Sequence, residues 1–122
     1  MTDTLLAISN RQVLVCASDG KQLKSERDAL DLIGEAMQQG SEWILVPVER
    51  LDEAFFHLKT RLAGEIIQKF VTYRRHLVIL GDISQYKAQS RAFRDFVYEA
   101  DLGNDVWFVT NLQELDERLK HT

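Results

Sequence analysis

The stretch WILVPVERLDEAFFHLKTRLAGEIIQKFVTYRRHLVIL, Trp43 to Leu80, decides the fold. It opens on a compact apolar run, Trp43–Val48, of strand length and without polar alternation, which is the pattern of a strand buried on both faces. From Leu51 to Tyr73 the pattern turns helical: Leu58, Leu62, Ile66 and Phe70 step by four. Asp52 can cap a short first piece and Thr60 a second one running from Arg61, so the spacing predicts two pieces with a break near His57–Thr60. Leu77–Leu80 is a second short buried strand, ended by Gly81-Asp82. Strand, helix and strand in this order predict parallel neighbours joined by a right-handed crossover.

Upstream, the apolar runs Thr4–Ser9 and Val13–Ser18 flank the polar turn Asn10-Arg11-Gln12, where Asn10 can take a left-handed conformation. They read as a β-hairpin. Ser25, with Asp28 three residues later, resembles a capping box. Leu30, Ile33 and Met37 recur behind it at helical spacing, and Gly40 stops the helix. Downstream of Gly81, a helix carries Phe93, Phe96, Val97 and Ala100 as its stripe, and Val106–Thr110 is the last strand. Asn111 and Glu114 open a final helix, with Leu112, Leu115 and Leu119 facing inward. The expected order is β-β-α-β-α-β-α-β-α: one α/β domain over residues 1–122, with a hairpin joined to a mainly parallel sheet flanked by helices.

Composition narrows the function classes. Of 122 residues, 45% are hydrophobic and 28% charged, the balance of a globular chain too short to divide into two cores. No apolar run approaches the ~18 residues of a membrane span, and Met1 to Asn10 lacks the basic start of a secretory signal, so a cytoplasmic location is expected. The net charge of −4 speaks against nucleic-acid binding, which needs cations for the phosphates. The single Cys16 has no partner for a disulfide or a metal and lies in an apolar run, as a buried inert thiol does. Charge is uneven: His57–His76 carries Lys59, Arg61, Lys69, Arg74 and Arg75 against Glu65 alone, a net of +4, which leaves −8 for the rest.

The run from Phe55 to Asp82, FFHLKTRLAGEIIQKFVTYRRHLVILGD, resembles a bacterial family catalogued as domain of unknown function 4180, whose pattern is close to FFDLKTGLAGEILQKFxNYRxRLAIVGD. DALDLI at Asp28–Ile33 is similar to that family's helix after the hairpin, and SRAFRDFVYEADLG at Ser90–Gly103 to its SKxLRDFIYESNxG. His57 stands where the family has Asp, Arg61 where it has Gly, and Ala100-Asp101 where it has Ser-Asn. More remotely, the element order and HLVILGD resemble the sulfate-transporter and anti-sigma-antagonist (STAS) type of domain. That resemblance implies a regulatory binding module, often controlled by phosphorylation near a helix start after the third strand. Thr60 falls near that place, although the Asp-Ser-Gly motif is absent.

The Lys59-Thr60-Arg61 turn is the first candidate site. If Thr60 caps a helix, the free N–H groups and positive dipole end favour an anion there, or a phosphate on Thr60 itself. The ordinary alternative is a structural cap with two solvated cations. Glu65, Gln68, Lys69, Tyr73 and Arg74 extend this surface as a polar strip along the helix, with Glu65–Lys69 as an i,i+4 pair. Read plainly, the strip is a solvated face. Gly64 in mid-helix implies close packing against a neighbour. Asp82 and Glu49 lie at strand ends, where ligands of parallel sheets engage, although Asp after Gly is also an ordinary turn residue. No motif calls for a cofactor or metal, and none marks a catalytic constellation.

The leading expectation is therefore a noncatalytic binding or regulatory domain. It would recognise a protein partner or small anionic ligand near Lys59-Thr60-Arg61, with homo-oligomerisation compatible. The alternative is a small enzyme or metabolite-binding protein using the strand-end loops around Asp82 and Glu49.

Overall fold

The computed structural model describes residues 3–121. The element order is β1 (Thr4–Ile8), β2 (Arg11–Val15), α1 (Glu26–Gln38), β3 (Trp43–Pro47), α2 (Leu62–Thr72), β4 (His76–Leu80), α3 (Ser84–Gln89), α4 (Arg91–Leu102), β5 (Val106–Val109) and α5 (Leu112–Lys120). Three short 3-10 turns, Val48–Arg50, Glu53–Phe56 and Leu58–Thr60, separate β3 from α2. The five strands form one mixed sheet in the order β1-β2-β3-β4-β5. β1 is antiparallel to β2, and the other pairings are parallel.

That order fixes the layers. Each crossover moves one strand in the same direction, so a uniform right hand places its helices on the same face. Leu14, Ile44, Val46, Leu77, Ile79, Val106 and Phe108 turn to that face and pack beneath α1 to α4. Their alternating neighbours Val13, Trp43, Leu45, Val78, Trp107 and Val109 turn the other way, where Leu115 and Leu119 of α5 cover them. β3 is buried along its whole length because it has helices on both sides. This is why its sequence shows no alternation.

Several expectations shift. The hairpin turn is Ser9-Asn10, both at positive φ (48° and 66°), so β2 begins at Arg11 rather than Val13. A two-residue turn of this hand matches the twist of the paired strands. Ser25 caps α1 by accepting from Asp28 N, and Asn111 caps α5 by accepting from Glu114 N. Leu30, Met37 and Leu112, expected inside, are 37%, 49% and 44% exposed, and the core is carried by Ala29, Leu32, Ile33, Ala36, Leu115 and Leu119 instead. The helix expected after Gly81 is two helices, because Ser90 adopts an extended conformation and caps α4 through Phe93 N. Gly64 has nothing within 4 Å of where a Cβ would stand, so it faces open space rather than a packed neighbour.

Candidate functional site

Glu49, the Lys59-Thr60-Arg61 turn and Asp82 all follow the ends of β3 or β4 along the chain. After Pro47 the chain makes its three 3-10 turns before α2 can start, and the last break is local chemistry. Arg61 sits at φ 66°, left-handed, between the Leu58–Thr60 turn and α2. Arg61 is therefore the N-cap in backbone terms, one residue later than expected. Thr60 still supplies the capping oxygen, because Oγ1 accepts from Leu62 N at 3.2 Å. The same hydroxyl lies 2.6 Å from Ala54 O and 2.8 Å from His57 O, and donates its single proton to that pair of carbonyls. The turn is thus pinned to the one before it. Lys59 and Arg61 project from it, both exposed, and neither has an ion pair among the described residues.

The rest of the predicted strip does not join them. α2 has 11 residues, about 16 Å at 1.5 Å per residue, so Tyr73 and Arg74 lie at its far end. Arg74 is exposed there at φ 56°, and Tyr73 is 43% exposed. Lys69, expected to pair with Glu65, instead reaches Glu26 of α1 at 3.4 Å. Glu65 is left solvated on the outer face with Gln68. The charge concentrated in sequence is therefore divided in space between two ends of one helix.

The two strand-end carboxylates also separate. Asp82 lines a cleft of about 270 Å³ together with Ser84, Lys87, Asp101, Thr110 and Glu114. Bonds from the Ser84 side chain and backbone N–H hold its carboxyl below the usual carboxylate value, the turn role that Asp after Gly commonly takes. Glu49 is exposed outside that cleft. Between the two strands Gly81, at φ 143°, lets the loops close up: a Cβ there would stand 2.6 Å from Val48 Cγ2.

Two groupings escape sequence reasoning. Tyr86 of α3 donates from its hydroxyl to Glu53 Oε2 at 2.8 Å, while Glu53 Oε1 lies 3.5 Å from His57 Nε2. The Tyr86 ring stacks on Phe56 at 4.0 Å, and burial followed by the Glu53 carboxylate raises its phenol. The i,i+4 spacing of Glu53 and His57 was readable; the arrival of Tyr86 was not. The second is Arg50, which is 6% exposed. Its Nε donates to Lys21 O at 2.6 Å, and its Nη1 to Ala17 O at 2.9 Å and Asp3 Oδ1 at 3.2 Å. Cys16 lies beside this pair, and burial, reinforced by Asp3, pushes its thiol up to about 12. Among the described residues no group of three or more His, Cys, Asp or Glu side chains could hold a metal ion, and no helix is long and apolar enough to cross a membrane.

Comparison with known proteins bears on the family alone. Neither the curated proteins nor the solved structures give a match. A family model described as domain of unknown function (DUF4180) matches residues 8–119, which leaves out most of β1 but takes in β2 and every later element of the fold, short only of the last residue of α5. The chain belongs to the DUF4180 family.

Proposed function

We propose that this domain is a noncatalytic binding module, and that the Lys59–Arg61 turn is its contact surface for an acidic segment of a protein partner. The supporting observation is that two exposed cations, without acidic partners among the described residues, stand on a turn already fixed by the Thr60 hydroxyl and the left-handed Arg61. A turn held rigid before contact loses little conformational freedom on binding, so its charges act at reduced entropic cost. Non-glycine residues in the left-handed region also cluster at functional positions. A small anionic group would meet the same charges. The STAS-like reading of the fold supports a regulatory role through the shared element order. Phosphorylation of Thr60 would break this turn, because the hydroxyl already donates and accepts within it.

The test compares recovery of binding partners from the native host by the wild-type chain, by Lys59→Glu/Arg61→Glu, and by Asp82→Asn. Charge reversal on the turn should abolish recovery of a specific partner, and Asp82→Asn should leave it. Equal recovery by all three proteins removes the turn from consideration. A second reading, small-molecule binding by the strand-end loops, is favoured by the cleft beside Asp82. It predicts the reverse sensitivity, with Asp82→Asn as the damaging change.

A further inference from the structure

The sheet ends in two outer strands, β1 and β5, and the chain treats their free edges differently. At β5, Asp105 O and Val109 O accept from Leu77 N and Gly81 N of the β4 side. The alternate residues Val106 and Phe108 therefore turn their main chain outward. Phe108 N does not stay open, because it donates to Asp101 Oδ1 at 2.9 Å, and all four residues of β5 are buried. That edge is closed.

The β1 edge is open. On β2, Leu14 N donates to Ser41 Oγ, which lies 2.9 Å from Gln12 O, and Cys16 N donates to Leu45 O. Gln12 and Leu14 thus turn their main chain toward β3, so Val13 and Val15 turn theirs toward Leu6 and Thr4 of β1. Leu5 and Ala7 are left with N–H and C=O directed away from the sheet, and among the described residues nothing bonds to them. The strand, TLLAI, also lacks the devices that usually blunt an edge: it has no charge, no proline and no bulge in its register. Leu6, registered with Val13 on the α5 face, is 42% exposed.

From this contrast between a capped edge and an open apolar one, we propose that β1 pairs with β1 of a second copy of this chain. The two strands run antiparallel about a two-fold axis at Leu6 and join both sheets into one. Parity selects this register. Leu5 of each copy faces Ala7 of the other, each pair exchanging both of its bonds, and Leu6 meets its own copy where side chains approach most closely. Centring the pair on Leu5 or Ala7 instead would set an outward residue against Asp3 or Ser9, beyond the strand. Both edges are ordered before contact, so pairing costs less conformational freedom than capturing a loose foreign segment. An uncharged strand also meets its copy without like-charge repulsion. The contact is one strand of five residues, small beside the ~1,200 Å² of stable interfaces, so the dimer is weak and depends on concentration.

The test is sedimentation velocity on the full chain, from micromolar to millimolar concentration. The mean mass should rise from that of one chain toward twice that value. Leu6→Lys opposes two ammonium groups on the axis, and Ala7→Pro removes an outward N–H that the hairpin does not use. Each should weaken association by about tenfold or more while circular dichroism stays that of the wild type. Under mild oxidation Leu6→Cys should give a disulfide-linked dimer, because a non-hydrogen-bonded pair has its Cα atoms ~4.5 Å apart. Thr4→Cys should not, since its copy lies four residues, about 14 Å, along the strand. Cys16, 2% exposed, does not compete. Lys59→Glu/Arg61→Glu should associate like the wild type, which separates this edge from the turn proposed as the partner surface. A mass that stays at one chain throughout overturns the pairing and leaves the edge to a foreign strand. So does undiminished association of both folded β1 variants, or cross-linking of Thr4→Cys as readily as Leu6→Cys.

Discussion

Gly20→Ala tests whether Arg50 is held as tightly as its bonding implies. Gly20 does not occupy the left-handed region, so its backbone accepts alanine, and any cost comes from the added methyl group alone. That methyl would stand 2.5 Å from Arg50 Nη1 and 2.6 Å from Cζ, nearly 1 Å inside ordinary contact. The end of an arginine usually moves aside at little cost. Here Nε and Nη1 are tied to Lys21 O, Ala17 O and Asp3 Oδ1, and two of those acceptors belong to the loop that carries Gly20. A retreat of an ångström lengthens the 2.9 Å bond to Ala17 O beyond hydrogen-bonding reach and weakens the ion pair with Asp3. Hydrogen bonds to charged groups contribute about 1.5–3 kcal/mol each, so losing one and weakening another costs about 2–4 kcal/mol. Urea denaturation followed by circular dichroism should show the midpoint falling by about 1–2 M, for a slope of ~2 kcal/mol per M. Asp3→Asn, which leaves a buried guanidinium without its counter-charge, should destabilise by several kcal/mol. The double variant should then cost less than the sum, because both changes break the same contact. A Gly20→Ala midpoint equal to wild type, or strict additivity with Asp3→Asn, would refute the claim that this loop is built around the arginine.

Gly64→Ala should have the opposite sign: the site is helical and exposed with no atom within 4 Å, so the same denaturation assay should show a gain of about 0.5–1 kcal/mol. Cys16, 2% exposed and with its thiol pushed up to about 12, should resist iodoacetamide at pH 8 in the folded protein and react once urea unfolds it, as read by mass spectrometry.

The sheet was readable because two-sided burial writes itself into β3 and β4. Trp43 and Leu45 must be apolar for α5, and Ile44 and Val46 for α1 to α4, so both parities are filled, and the short length of the run marks it as a strand. Caps were readable for a related reason: Ser25 and Asn111 act on a backbone N–H three residues away, within reach of a sequence rule. The errors begin where the decisive partner is distant. Met37 and Leu30 keep the helical period of α1, but they lie at the edge of its buried face, whose centre is held by Ala29, Leu32, Ile33 and Ala36. Glu65 offers Lys69 a local pair at favourable spacing, and Glu26 on the adjacent helix takes it instead. Ser90 divides what reads as one helix, because the preceding six residues are too short to show a period of their own.

The candidate sites share this limit to a greater degree. Lys59, Thr60 and Arg61 are consecutive, so sequence could bring them together, and it placed the break they occupy within one residue. Arg50 lies in a charged run that reads as surface, yet it binds Asp3, 47 positions away, and two carbonyls that no side-chain pattern can mark. Backbone acceptors carry no residue identity. A guanidinium held by two carbonyls and one distant carboxylate is therefore invisible in sequence, whatever its importance to the fold.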